Sequence, residues 1–269
     1  MVNRAHLEGV GVKMYWRSLF FAALITTPAH SADLLRPSLA HEDWTGFRVG
    51  IEVGSANTNG KTSLGRTEGD LINLDVTNGL FPHETRGDAQ SATVSLSAGY
   101  DKQFGDLVAG VEVDVSSVNL GSFFTQNRRD PNPNPPFTGV QTIPGYHTKF
   151  ENVATARVRL GRGIGKSLIY ATGGFAVGKV VNRTTLHIPE LGYSAPDWKS
   201  DKYKTGWVLG AGFEHKLTRN LRLKLEWQYI DLADSTVVGT DPVNFPGQRL
   251  DYKYHNTMNI GKVGLGWTF

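Results

Sequence analysis

From Leu221 to Tyr229 every second residue is apolar: Leu221, Leu223, Leu225, Trp227 and Tyr229 share one side of an extended chain, and Arg222, Lys224, Glu226 and Gln228 share the other. At 100° per residue the same positions would scatter around a helix, so the run predicts a strand with two chemically different faces. The C-terminal segment repeats the pattern, with Gly261, Val263, Leu265, Trp267 and Phe269 opposed to Lys262, Gly264, Gly266 and Thr268. Six further segments read the same way, at about 44–56, 89–100, 107–117, 148–161, 168–181 and 205–217, which makes eight strands. Thus Val49, Ile51 and Val53 oppose Arg48, Gly50 and Glu52, Val111, Val113 and Val115 oppose Glu112 and Asp114, and Ala156, Val158 and Leu160 oppose Arg157 and Arg159. Glycine supplies 31 of 269 residues, well above the usual ~7% and unfavourable to helix. No proline falls inside a proposed strand, as expected of residues that cannot donate to a ladder.

The connections take turns in length. Segments 57–88, 118–147, 182–204 and 232–252 are long, whereas 101–106, 162–167 and 218–220 are short. Strict long-short alternation places every long connection at one end of an up-and-down antiparallel sheet. This is the plan of an eight-stranded transmembrane β-barrel with four long extracellular loops and three short periplasmic turns.

Near the N-terminus, Lys13 and Arg17 precede the apolar run Leu19 to Ile25, and small residues follow at Ala29 and Ser31. The pattern is that of a secretory signal peptide over 1–31, with Met14 as an alternative start. A short segment, 32–43, then leads to the barrel, 44–269. Removing Arg4, Lys13, Arg17 and Glu8 leaves 25 basic against 24 acidic residues, so nothing in the charge calls for nucleic acid. With no cysteine, disulfides and thiolate metal sites are excluded. No apolar run reaches the ~18 residues that a membrane-spanning helix requires.

Alternation alone does not say whether the apolar face points into a soluble barrel or out into lipid. Three features point outward. Aromatic residues (Trp44, Phe104, Phe150, Trp207, Trp227, Tyr229, Trp267) sit near strand ends, where membrane interfaces favour them. The opposite face carries charges of both signs and small residues, which suits a crowded lumen. The chain also ends on Phe269, preceded on the same face by Trp267 and Leu265.

Several stretches carry a family resemblance: Trp44-Thr-Gly-Phe-Arg-Val-Gly50, Thr155-Ala-Arg-Val-Arg-Leu-Gly161, Tyr170-Ala-Thr-Gly-Gly-Phe-Ala-Val-Gly178, Gly206 to Leu232 ending in Glu226-Trp-Gln-Tyr-Ile-Asp-Leu232, and Asn259 to Phe269. Together they resemble the small porin-like outer-membrane β-barrels of alphaproteobacteria, which include surface antigens and haemin-binding members. Departures are Arg48, where an aromatic is usual, and the proline-rich Asp130 to Pro136. The resemblance implies an integral outer-membrane protein surrounded by lipid and lipopolysaccharide. It also implies that Leu265, Trp267 and Phe269 form the signal read by the barrel assembly machinery.

Eight strands leave an interior just wide enough for side chains. Glu52, Glu112, Asp114, Arg157, Arg159, Arg222, Lys224, Glu226 and Lys262 fall on the polar face. In a narrow lumen they must pair, because an unpaired buried charge is costly, and they are expected to plug the barrel rather than line a wide channel. Gly161-Arg-Gly-Ile-Gly-Lys-Ser167 lacks the first glycine of a phosphate-binding loop and reads as a turn. No histidine stands in hydrolase spacing to a nucleophile, and no metal-ligand spacing appears. His147, His187 and His255, with Tyr146, Tyr193, Tyr252 and Tyr254, lie toward the long-loop end and are candidate haem-iron ligands. The expected protein is thus non-enzymatic and needs no cofactor. It serves envelope structure and surface presentation, with haemin or small-ligand capture at the loops, or a narrow low-conductance pore, as alternatives.

Overall fold

A computed structural model describes residues 42–130 and 139–269. The expected signal peptide and nearly all of 32–43 lie outside the described residues, as does the part of the proline-rich stretch beyond Asp130. Ten strands and one α-helix follow in chain order: β1 (Gly46–Glu68), α1 (Asp70–Thr77), β2 (Glu84–Phe104), β3 (Leu107–Thr125), β4 (Arg128–Arg129), β5 (Gln141–Ile164), β6 (Ser167–Ile188), β7 (Tyr193–Ser194), β8 (Trp198–Lys216), β9 (Leu221–Asp241) and β10 (Phe245–Thr268). The two-residue β4 and β7 are side pairings on β5 and β6. The other eight form a closed antiparallel ring in the order β1, β2, β3, β5, β6, β8, β9, β10, with β10 returning to β1. Closure leaves no sheet edge in the ring at membrane depth, which lipid requires because it offers no hydrogen bonds.

The eight ring strands are 19–24 residues long, about twice the ~9–11 that cross a bilayer. Most of the segments expected as long loops are therefore strand. Residues 232–252 are nearly all β9 and β10, joined by a three-residue turn at 242–244. The reason is visible on the outer face. In β1 the exposed residues Phe47, Val49, Ile51 and Val53 give way to Ser55, Asn57, Asn59 and Lys61. The apolar alternation stops where lipid stops, while the hydrogen-bonded ladder continues. At the opposite rim the connections are tight, and Gly105 (φ 63°) and Gly165 (φ 55°) supply the left-handed residue in two of the three turns.

Beyond the apolar band the ring divides. Pairing of β2 with β3 ends at Val94/Ser117, and that of β8 with β9 ends at Gly206/Leu232. The remaining pairs run on, β1–β2 to Ser63/Glu84, β3–β5 to Thr125/Gly145, β6–β8 to Thr184/Trp198 and β9–β10 to Asp241/Phe245. The outer half is consequently two facing four-stranded leaves, β9-β10-β1-β2 and β3-β5-β6-β8. Side chains bridge the seams. Thr93 Oγ1 donates to Ser117 O at 2.9 Å, Lys204 Nζ to Asp234 O at 2.8 Å, and Trp198 Nε1 to Thr240 O at 2.9 Å.

Reading up the inward positions of β9 gives the order of the interior: Arg222, Lys224, Glu226 and Gln228, then Ile230 and Leu232, then Ser235 and Val237. The first four belong to a charged layer. Ile230 and Leu232 belong to an apolar layer with Ala56, Val118, Leu120, Phe150, Val153, Val180, Val208, Met258 and Ile260. Val237 belongs to an outer core between the leaves with Leu80, Phe81, Tyr146, Leu186, Leu250, Tyr252 and Tyr254. Trp44, Val108, Leu168 and Tyr170 close the short-turn end. Two aromatics expected at the membrane interface are instead inside. Trp44, fully buried, lies under Lys216 and Arg222 (4.9 and 5.0 Å to the ring centre), and Phe150 fills the apolar layer. Trp44 precedes β1 and folds over the rim of the lumen, and Phe150 is inward because the register shift between Phe150 and Val153 reverses the alternation along β5.

Candidate functional site

The charged layer contains six cations, Arg48, Arg157, Arg159, Arg222, Lys224 and Lys262, and six carboxylates, Glu52, Asp101, Glu112, Asp114, Glu214 and Glu226, all at least 95% buried. The nine residues singled out from the alternation are all here. Arg48, Asp101 and Glu214 join them. Arg48 and Glu214 sit on the same polar faces of their strands and were legible by the same parity, and Asp101 lies on β2 one residue beyond the limit expected for that strand.

The contacts interlock across the lumen. Arg157 pairs with Glu226 at 2.9 Å and also contacts Glu112. Lys224 lies 3.0 Å from Glu112, 3.3 Å from Glu226 and 3.4 Å from Glu52. Glu214 receives Arg159 and Arg222, each at 2.9 Å, and Asp101 receives Arg48 at 3.0 Å. Lys262 contacts Asp114, whose second donors are Thr155 and Gln228. Tyr170 donates to Glu226 at 2.7 Å while the Arg159 guanidinium lies 3.9 Å over its ring.

Glycine makes this density possible. A Cβ on Gly99 would lie 2.8 Å from Arg48 Nη2, and one on Gly212 would collide with the Tyr170 ring. Inward glycines beside large charged or aromatic residues let an eight-stranded wall accommodate twelve ionic side chains.

The candidate haem ligands are not brought together. His147 is on β5, stacked on Phe123 at 4.3 Å. His187 is near the end of β6, with Nδ1 2.9 Å from Ser194 Oγ. His255 is on β10, 3.1 Å from Asp234. Around the ring β5 and β10 are four strands apart in either direction, so His147 and His255 stand on opposite walls and no single iron can reach all three. Of the tyrosines named with them, Tyr146 and Tyr252 join the leaves through a 2.7 Å hydroxyl contact, and Tyr254 bonds Arg183 O at 2.8 Å.

A second region lies between the leaves at the outer end. Leu80, Phe81, Leu186, Trp198, Phe245 and Leu250 wall a small cavity of about 90 Å³, with Asp75, Asp130, Asp241 and Arg249 at its margin. Burial and the neighbouring Asp130 push the Asp75 carboxyl up to about 6. Alternation did not point to this cavity, because its walls come from α1, connections and strand ends of both leaves.

Leu265 and Trp267 face outward on β10, paired with Ile51 and Val49 of β1, and Phe269 donates its N–H to Phe47 O at 2.9 Å with its ring exposed. The closed ring with an outward apolar band is the architecture of the family that comparisons with known proteins indicate. The profile of the outer membrane protein beta-barrel domain family matches residues 19–269. The 31 kDa outer-membrane immunogenic protein of Brucella melitensis is 30% identical over 257 residues, covering 87% of this chain and 96% of that protein. The 25 kDa outer-membrane immunogenic protein of Brucella abortus is 25% identical over 226 residues, 84% of this chain and 79% of that one. Among solved structures, OprG from Pseudomonas aeruginosa is similar at a TM-score of 0.47 and 14% identity, covering 86% of this chain and 98% of that one. This chain belongs to the outer-membrane β-barrel family, whose members reside in the outer membrane.

Proposed function

We propose that the protein is a non-catalytic, non-conducting barrel that reinforces the outer membrane and presents its two-leaf outer half at the cell surface. The observation that carries this reading is the stacking of two different obstructions in one lumen. Six cations balanced by six carboxylates offer no net charge to select an ion. The apolar layer of Val118, Leu120, Phe150, Ile230, Leu232 and Met258 directly above would have to be wetted for any ion to pass. The charged residues act as an internal strut, and Leu265, Trp267 and Phe269 act in assembly through the barrel assembly machinery. Lipopolysaccharide surrounds the outer collar, where Lys179 pairs with Glu151 at 2.9 Å. The scattered histidines weigh against a haemin site built on His147, His187 and His255. The test joins planar-bilayer recording to envelope assays. Folded protein should show no discrete conductance steps, and cells lacking it should become sensitive to detergent and recover with the wild-type gene. Well-resolved channels, or a deletion with an unchanged envelope, would overturn the proposal.

A further inference from the structure

The membrane-facing surface of β8, β9, β10 and β1 is not uniform. Strand register aligns its outward residues in rows across the four strands. Phe213, Leu225, Val263 and Val53 form one row, all apolar. In the row above, Ala211, Trp227, Gly261 and Ser55 stand side by side, and the side-chain bulk drops to nothing at Gly261. A Cβ there would meet no atom within 4 Å. The result is a groove of about 630 Å³, open to the membrane and walled by Trp227, Leu225, Val263 and Val53. Gly261 is eight residues from Phe269, which at ~3.3 Å per residue and a tilt of ~40° puts it about 20 Å above the short-turn edge of a band ~25 Å tall, in the outer leaflet.

The next row up changes character. Asn57 and Asn259 are direct cross-strand partners, with Tyr229 beside Asn259. Among the described residues neither amide side chain has a hydrogen-bond partner. None of the three rows carries a cation, and the first outward one on β1 is Lys61, four residues beyond Asn57. Asp231, one row higher on β9, disfavours a phosphate at this point. An apolar groove capped by two free amides matches an acyl chain and the linkage that joins it to a head, in that order.

We infer that this groove seats one acyl chain of lipopolysaccharide, the chain lying over Gly261 against Trp227 and the linkage to its sugar meeting Asn57 and Asn259. A side-chain amide both donates and accepts, so the pair suits a lipid whose amide linkages and hydroxyls do the same. The esters of a glycerophospholipid only accept and would leave both side-chain carbonyls unmet. The seat goes beyond the scaffold reading, whose own test through conductance and envelope integrity is independent of it.

The experiment uses the full barrel folded in detergent, mixed in turn with lipid A, lipid A stripped of phosphate, and phosphatidylethanolamine. Native mass spectrometry should show one lipid A retained per barrel and the dephosphorylated form retained as well. Phosphatidylethanolamine should be retained about tenfold less, roughly the worth of two neutral hydrogen bonds. Gly261→Leu, which fills the groove from outside the wall, should abolish retention while the barrel stays heat-modifiable. Asn57→Val combined with Asn259→Val should bring lipid A down to the level of phosphatidylethanolamine. Ala156→Leu, outward on β5 across the ring, should change nothing. Undiminished retention by Gly261→Leu or by the double variant, an equal loss in Ala156→Leu, a requirement for phosphate, or equal retention of lipid A and phosphatidylethanolamine would overturn the inference.

Discussion

At the residue scale the barrel depends on parity, and neighbours in sequence have opposite environments. Leu225 faces lipid near the middle of the apolar run of β9. Leu225→Arg should therefore cost about 2–4 kcal/mol in unfolding from lipid, whereas Val238→Arg, outward on the same strand but above the band, should cost about 0–1 kcal/mol. Equal costs would contradict the placement of the membrane. Inside, Arg157 holds Glu226 and Glu112, and Arg157→Met would leave the buried layer with five cations against six carboxylates, one negative charge uncompensated. A loss of about 3–5 kcal/mol is expected in denaturant unfolding followed by tryptophan fluorescence; a loss below about 1 would show that the network does not carry the lumen. Asp75 gives a pH dependence of known sign. Its carboxyl is raised from 3.8 to about 6 in the folded protein, so the fold binds more protons than the unfolded chain across that window and is favoured by acid. The contribution is present below pH 3.8 and is lost as pH rises through about 6. Hydrogen exchange of the α1 amides should accelerate over that interval beyond the intrinsic base-catalysed trend, and Asp75→Asn should remove the excess.

At the element scale, strand length and close packing govern what each segment tolerates. β9, at 21 residues, extends about 66 Å at ~3.3 Å per residue, far more than a bilayer needs even when tilted. Its outer half must be held by other means: pairing with β10, and side chains across the open seam to β8. Trp198 packs there against Gly239, where an added Cβ would come within 3.0 Å of the indole. Gly239→Val should part the leaves locally and speed proteolysis of the outer strands while the membrane-embedded half stays protected; unchanged cleavage kinetics would argue that the seam is held elsewhere. In the wall itself, Gly212→Ala drives a methyl into Tyr170, whereas a Cβ on the outward Gly261 meets nothing within 4 Å. The first variant should yield less heat-modifiable folded barrel and the second about as much as wild type.

At the scale of the whole molecule the described residues form one ring with two characters, a cylinder filled with side chains through the membrane and a pair of sheets above it. The eight strands, their up-and-down order and the residues of the charged layer were legible in the amino-acid order, because lipid outside and a narrow lumen inside impose opposite chemistry at every second position. The same signal fades where water replaces lipid on the outer face, so the doubling of strand length, the short turn at 242–244 and the division into leaves were not legible. Trp44 and Phe150 illustrate the limit: residue type placed them at an interface, but the segment before β1 folds Trp44 over the lumen and a register shift in β5 turns Phe150 inward. The opposition of His147 and His255, and the convergence of Asp75, Asp130 and the aromatic wall, depend on which strands become neighbours after closure. Local alternation specifies the two faces of each strand, because that choice is made against solvent one residue at a time. What gathers at the outer end is decided by ring closure and register, which join residues far apart in the chain.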